Sequence, residues 1–378
     1  MKTRAAEMLG VEFPIVAFSH CRDVVTAVTN AGGFGVLGAV AYTPEELEAT
    51  LSWIDSEVHG RPYGVDVLIP VKYVGADEGG ISEDRLKELL PEEHRNFVDS
   101  LLEKYDVPPL ADDGDEDLIA GRSLGLSLKG AERLIDVAFG HPIRLIANAL
   151  GPAPADMIEE AHTRDLVVAS LVGTRQHAER QQATGVDIIV AQGYEAGGHT
   201  GEIGTMVLVP DVVEAVAPTP VLAAGGIATG RQMLAAFALG AQGVWCGSVW
   251  LTTQEAETHP VVKEKFLRAS TSDTVRSRST TGKPARQLRS AWTDEWADPA
   301  NPDPLPMPLQ PLLIADAQRR IGHAAATSDG AGQLVNYFVG QVVGRLNQVK
   351  ASRQVVMDIV EEFIDVAEDI NKLLTTTA

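Results

Sequence analysis

Val186-Asp187-Ile188-Ile189-Val190-Ala191-Gln192-Gly193-Tyr194-Glu195-Ala196-Gly197-Gly198-His199-Thr200-Gly201 is the stretch that decides the fold. Its first half is a largely apolar, β-branched run of the kind that forms a strand buried on both faces. Its second half is a polar, glycine-rich loop with an imidazole directly after two glycines, and loops at strand ends are where chemistry concentrates. Two similar units follow. Val221-Leu222-Ala223-Ala224-Gly225-Gly226-Ile227-Ala228-Thr229-Gly230 is a strand that ends in paired glycines and opens a helix. Gly243-Val244-Trp245-Cys246-Gly247-Ser248 is a third strand with a small-residue tip. Glycines let main-chain N–H groups approach an anion, and a helix N-terminus adds partial positive charge, so these tips suit an anionic cofactor.

Outward from this segment, short apolar runs alternate with amphipathic helical patterns, the signature of βα units and a parallel sheet. Strands are expected at Phe13–Ser19, Phe34–Ala39, Tyr63–Ile69, Ile143–Ala147, Leu166–Val172, Val186–Gln192, Pro220–Ala224 and Val244–Gly247. Eight strands with intervening helices predict a closed (β/α)8 TIM barrel. Helices are expected at Arg22–Ala31, at Pro44–Glu57 behind a Thr43/Glu46 capping box, and at Arg231–Leu239. The barrel should span residues 1–254, with a long insertion after strand 3, at about 70–140. That insertion carries helical patterns at Glu83–Leu90 and Glu93–Lys104 and an acidic run, Asp112–Asp117. Loops of that length are commonly lids or other functional elements, and a solvated rim decoration is the plain alternative. Residues 255–378 form a C-terminal helical extension: Thr252–Pro311 shows little periodicity, whereas Arg353–Leu374 has an apolar helical stripe suited to packing on the barrel or on a second subunit, as in a homodimer.

The bulk composition excludes several function classes. A formal charge of −21, from 52 acidic and 31 basic residues, argues against a nucleic-acid partner or an anionic membrane surface. The two cysteines, Cys21 and Cys246, indicate no disulfide framework and fit a reducing compartment. There is no signal-peptide pattern and no uncharged apolar run of membrane length, so a cytoplasmic location is expected. No histidine and carboxylate cluster has metal-ligand spacing, and no metal site is expected.

In a barrel of this type the site lies at the carboxyl ends of the strands. The candidates there are Ser19 and His20, Asp66, Asn148, Ser170, Gln192, His199, Gly225 and Gly226, and Cys246, Gly247 and Ser248. Gly225–Gly226 and Cys246–Ser248 together form a phosphate-cradle pattern. His199 is the candidate for proton transfer, because imidazole titrates near neutral pH. His20 and Ser170 are candidates for a substrate pocket; a helix-capping role for His20 is equally compatible with the sequence.

Three runs together, Ala191–Gly201, Ala223–Ala228 and Leu239–Val244, resemble the nitronate monooxygenase family, formerly called 2-nitropropane dioxygenases, which are FMN-dependent TIM-barrel enzymes. The likeness extends to Val28–Gly38 near the start and to Gly282-Lys283-Pro284-Ala285-Arg286 and Gly340-Gln341 beyond the barrel. It implies FMN, with Gln192, Gly197 and Gly225 near the flavin, Gly198 and Gly226 in the same cofactor-binding set, and Trp245, Cys246, Gly247 and Ser248 at the phosphate. Main chain at Ala17, Phe18 and Ser19 would face the isoalloxazine ring, and His199 would occupy the family's catalytic position. The implied activity is oxidation of alkyl nitronates with O2 through one-electron transfer to the flavin, releasing nitrite. The alternative, in relatives with the same barrel, is NAD(P)H-dependent reduction of an enoyl thioester or quinone. Asp66, also in the implied cofactor-binding set, stands where the family commonly has Asn, and a carboxylate close to a flavin would disfavour the anionic reduced ring unless it were protonated or paired; Ala17-Phe18-Ser19-His20 replaces the family's usual Ala-Pro-Met type of ending. A likeness to IMP dehydrogenase fails chemically, because Gly193–Met206 contains no cysteine nucleophile.

Overall fold

Eight parallel strands close a barrel in the computed structural model, which describes residues 1–68, 83–110, 128–149 and 151–375. They are β1 (Ile15–Ser19), β2 (Phe34–Gly38), β3 (Gly64–Val67), β4 (Leu145–Asn148), β5 (Val167–Val172), β6 (Ile188–Gln192), β8 (Val221–Ala224) and β9 (Gly243–Cys246). β7 (Gly198–His199) lies outside the barrel, in the loop after β6. β9 returns to β1 through Ile15 opposite Val244 and Ala17 opposite Cys246, which closes the ring. The fold is thus the expected (β/α)8 TIM barrel; most strands are shorter than their apolar runs, while β4 ends one residue later than expected, at Asn148, and β9 is shifted one residue towards the N-terminus.

Strand alternation sorts the core into two shells. Val16, Phe34, Val36, Leu145, Ala147, Ala169, Ile188, Val190, Leu222 and Trp245 fill the barrel interior. Val65, Val67, Ile146, Val168, Val172, Ala191, Val244 and Cys246 face the surrounding helices. The helix Arg4–Leu9 also contributes Ala5 and Leu9 to the inner cluster, and so plugs the amino-terminal end of the barrel. Thr3 holds this plug in place: its hydroxyl accepts from Ala6 N–H and donates to the Gln242 carbonyl. Helix Pro44–Glu57 begins with the Thr43/Glu46 capping box read from the sequence, both reciprocal bonds being present.

Within the insertion, helices Glu83–Glu88, Glu92–Lys104 and Leu128–Phe139 are formed; the acidic run Asp112–Asp117 and Ile69 lie outside the described residues. The middle helix meets the residues beyond the barrel. Phe97 stands edge-on to Trp296, with centroids 4.8 Å apart, and the Glu295 carboxylate accepts from Lys104 at 2.6 Å and from the Tyr105 hydroxyl at 2.8 Å. The aperiodic stretch after Thr252 is structured: it contains helix Pro260–Arg268, β10 (Thr274–Ser277), β11 (Ala285–Leu288) and helix Ala291–Glu295. The final helix, Ser352–Thr375, docks on Gly230–Ala238, where Glu362 accepts from Gly230 N–H at 2.8 Å and from Arg231 Nε at 2.6 Å. Among the described residues no helix is long and apolar enough to cross a membrane.

Candidate active site

The carboxyl-end mouth of the barrel gathers most of the residues singled out in the sequence, and alternation decides which side chains enter it. Phe18 and Trp245 point inward and stack at 6.4 Å, and His20 stands edge-on to Phe18 at 5.2 Å. Asp66 shares the inner face of β3 with Gly64, and Gln192 continues the inner face of Ile188 and Val190. Two expected side chains point the other way. Ser170 lies on the side of β5 that carries Val168 and Val172, so its buried hydroxyl faces the helices rather than a pocket. Cys246 lies beside Val244 on the same outer side, and burial pushes its thiol up to about 12. At β9, then, the loop offers main chain from Gly247 and Ser248, while Trp245 is interior packing. Asn148 also turns away, donating to the Gly151 and Pro152 carbonyls.

The three loop tips are tied into one unit. Gly225 and Gly226 have φ of +94° and +73°, and a Cβ on Gly225 would sit 2.9 Å from the Gly193 carbonyl. That backbone is open to glycine and strained for other residues. Glu195 locks the β6 loop to helix Thr205–Val216 by accepting from Thr205 N–H at 2.9 Å and from its hydroxyl at 2.8 Å. The Glu195 carbonyl accepts from Gln341 N–H, and Ser248 Oγ accepts from Gly340 N–H at 2.8 Å. Gly197 packs so closely on Val339 and Gly340 that a Cβ would lie 2.8 Å from Gly340 N. Among the described residues, the N–H groups of Gly225, Gly226, Gly247 and Ser248 have no acceptor, and a Cβ on Gly247 would meet only Phe18, at 3.9 Å. A cluster of free amides at glycine-rich strand tips is a donor set for a phosphate.

His199 reaches this mouth by a route the sequence conceals. β7 pairs antiparallel with β11, which pairs with β10, so residues beyond the barrel hold the loop after β6. His199 sits opposite Ala285, and its Nε2 lies 2.8 Å from the Thr281 hydroxyl. Burial lowers its pKa to about 4, and the nearby Lys283 ammonium adds to the effect. Arg286, buried, donates twice to the Tyr194 carbonyl at 3.1 Å and lies 4.4 Å from the centre of the Tyr194 ring. Thr281, Lys283 and Arg286 are not among the candidates from the sequence; the Gly282–Arg286 run carries a signal for the last two, and Thr281 lies just before it.

Two further titratable groups lie at the barrel end. The His20 Nδ1 is 2.9 Å from the Gly38 carbonyl, and burial lowers the pKa of this imidazole. It does not cap the next helix, whose N-cap is Cys21. The Cys21 thiol lies near Asp23 and Glu257 but donates to the Glu255 carbonyl, and burial raises its pKa, which opposes the thiolate a metal would need.

Comparison with known proteins places the chain in a family and supports the fold. A family model described as nitronate monooxygenase matches residues 2–362. The chain belongs to the nitronate monooxygenase family. It is 63% identical over 375 residues to Rv1533 of Mycobacterium tuberculosis, named as a candidate monooxygenase, covering 99% of this chain and all of that one. It is 28% identical over 354 residues to a protein of Staphylococcus saprophyticus named as a probable nitronate monooxygenase, covering 88% and 92%. The structure of FabK from Thermotoga maritima matches at 26% identity and a TM-score of 0.70, covering 99% of each chain. A nitroalkane oxidase from Streptomyces ansochromogenes shares the fold, with a TM-score of 0.79, at 23% identity over 97% of this chain and all of that one. Membership of the family makes this chain an oxidoreductase.

Proposed function

We propose that the chain is an FMN-dependent nitronate monooxygenase, oxidising small alkyl nitronates with O2 and releasing nitrite. The observation that carries this reading is the set of free main-chain amides at Gly225, Gly226, Gly247 and Ser248, together with a buried imidazole, His199, in the loop after β6. In this reading the amides hold the phosphate, Gln192 and the main chain of Ala17–Ser19 face the ring, and Gly197 and Gly198 let the His199 loop approach it. Bound FMN supplies the electron-transfer chemistry with the nitronate and O2.

The state of His199 bears on the substrate. A base with a pKa of about 4 is too weak to remove the α-proton of a neutral nitroalkane efficiently. A nitronate has already lost that proton, and its need is for cations and donors. Lys283, partly buried and lowered in pKa by that burial, is a cation near His199, and the Arg276 guanidinium donates to the adjacent Thr200 carbonyl at 3.0 Å. The Thr281 hydroxyl fixes the ring of His199 through Nε2. Held through Nε2, the neutral ring of His199 serves the nitronate as a hydrogen-bonding group rather than as a base, and His199→Asn should cut turnover by about two orders of magnitude with flavin content unchanged. Nitrite release and O2 consumption in equal amounts with propionate 3-nitronate or ethylnitronate test the reaction. Activity with neutral nitroethane equal to that with its nitronate would refute the role given to His199. A second reading, NAD(P)H-dependent reduction of an enoyl thioester or quinone, draws on the likeness to FabK. Consumption of NADH or NADPH with such an acceptor would select it.

A further inference from the structure

Asp66 has no electrostatic company in the barrel. Among the residues of the eight barrel strands, the other ionisable side chain is Cys246, which faces the helices. Asp66 is 4% exposed and lies on the inner face of β3. Its neighbours in register, Gly38 on β2 and Ala147 on β4, offer no side-chain donor. The carboxyl group accepts from the main chain at Ala149, and Oδ2 has no partner among the described residues. From β1, His20 packs over Gly38 as a neutral imidazole and supplies no countercharge; from above the mouth His199 is neutral as well. The inward parts of β4, β5, β6, β8 and β9 carry no titratable group.

An ionised carboxylate in this setting would be desolvated and half-bonded, with no cation among the described residues to balance it. A proton on Oδ2 removes the charge and turns an orphan acceptor into a donor that faces the mouth. We propose that Asp66 is a neutral carboxylic acid whose free oxygen donates a hydrogen bond to an acceptor atom on the flavin ring, so that retention of the cofactor depends on this proton. The proposal rests on the FMN reading above and adds to it a protonation state and a donor. A neutral donor favours the electron-rich reduced ring, whereas a carboxylate at the same place would oppose it.

Burial, only partly offset by the main-chain bond from Ala149, pushes the Asp66 pKa up to about 8. FMN affinity is therefore expected to be level below that pH and to fall about tenfold per pH unit above it. The test is FMN binding to the deflavinated protein, followed by quenching of flavin fluorescence from pH 6.5 to 9.5, for the wild type and for Asp66→Asn, which keeps a donor and cannot ionise. A wild-type fall that is absent in the variant supports the assignment. A fall in both would place the proton elsewhere, for example on Lys265, whose pKa burial lowers to about 8, and would overturn it. An infrared difference spectrum, wild type minus variant at pH 7, should show one acid carbonyl band without any flavin present. Its absence overturns the neutral acid whatever the cofactor, and the wild-type pH curve stands as a test should the variant not fold. A protein that shows the band and binds no FMN at any pH would overturn the flavin reading and, with it, the hydrogen bond proposed here.

Discussion

The neutral imidazole at the barrel mouth makes a prediction opposite to the ordinary behaviour of histidine. An unperturbed histidine, with a pKa near 6.5, would be about 90% protonated at pH 5.5. His199, with a pKa lowered to about 4 by burial and by Lys283, should be only about 3% protonated there. The pH profile of kcat/KM for a nitronate should therefore show no loss attributable to His199 between pH 7 and 5.5. The decline should come near pH 4, provided the fold survives. Replacing the lysine, as in Lys283→Met, removes the lesser of the two causes, so the His199 pKa should rise but stay below 6.5. Folding carries the same signature. Below about pH 6.5 the unfolded chain binds a proton at this imidazole and the folded chain does not, so stability falls as pH drops from about 6.5 to about 4. The full loss is at most about 3 kcal/mol, less because the ring is partly open to solvent. The assays are steady-state kinetics at controlled ionic strength and the imidazole NMR shift of His199, assigned by its loss in His199→Asn. An acidic limb near pH 6.5 that disappears in His199→Asn would refute the reasoning.

Other perturbations test the framework around that ring. Gly225→Ala places a methyl 2.9 Å from the Gly193 carbonyl at φ +94° and should cost about 1–3 kcal/mol, read as a lower melting temperature together with loss of flavin. Arg286→Leu leaves the Tyr194 carbonyl without two bonds from a buried cation, and a cost of about 2–4 kcal/mol is expected, with faster amide hydrogen exchange confined mainly to residues 193–204. Ser248→Ala removes the acceptor for Gly340 N–H, a loss of about 1 kcal/mol, with weaker FMN retention as the accompanying measurement.

The barrel was legible in the sequence because each of its strands is buried on both faces. Runs such as Ile188–Val190 and Val221–Ala224 leave no other assignment once glycines bound them. Which side chains enter the mouth was less legible: Ser170 and Leu171 differ by one position, and only the register of the closed sheet puts the first outside and the second inside. The partners of His199 were hidden for another reason. β7 is two residues long and is a strand only because β11, some eighty residues later, pairs with it, so no local pattern could announce it. Helix Arg4–Leu9 has no sequence signature because six residues are too few for a period to show. Asp66 could be read as unusual, yet the lack of a countercharge on the barrel strands around it shows only in the packing of all eight.

The proposed reaction needs a flavin held at the tips of β6, β8 and β9, close to a neutral His199, and receiving electrons from a nitronate. Anaerobic addition of propionate 3-nitronate to the purified protein, followed by absorbance at flavin wavelengths, tests this most directly. The expected result is a yellow protein that bleaches with the nitronate, is indifferent to NADH and NADPH, and regains its colour with O2. A colourless protein that takes up no FMN, or a bound flavin that a nicotinamide reduces and a nitronate does not, would contradict it.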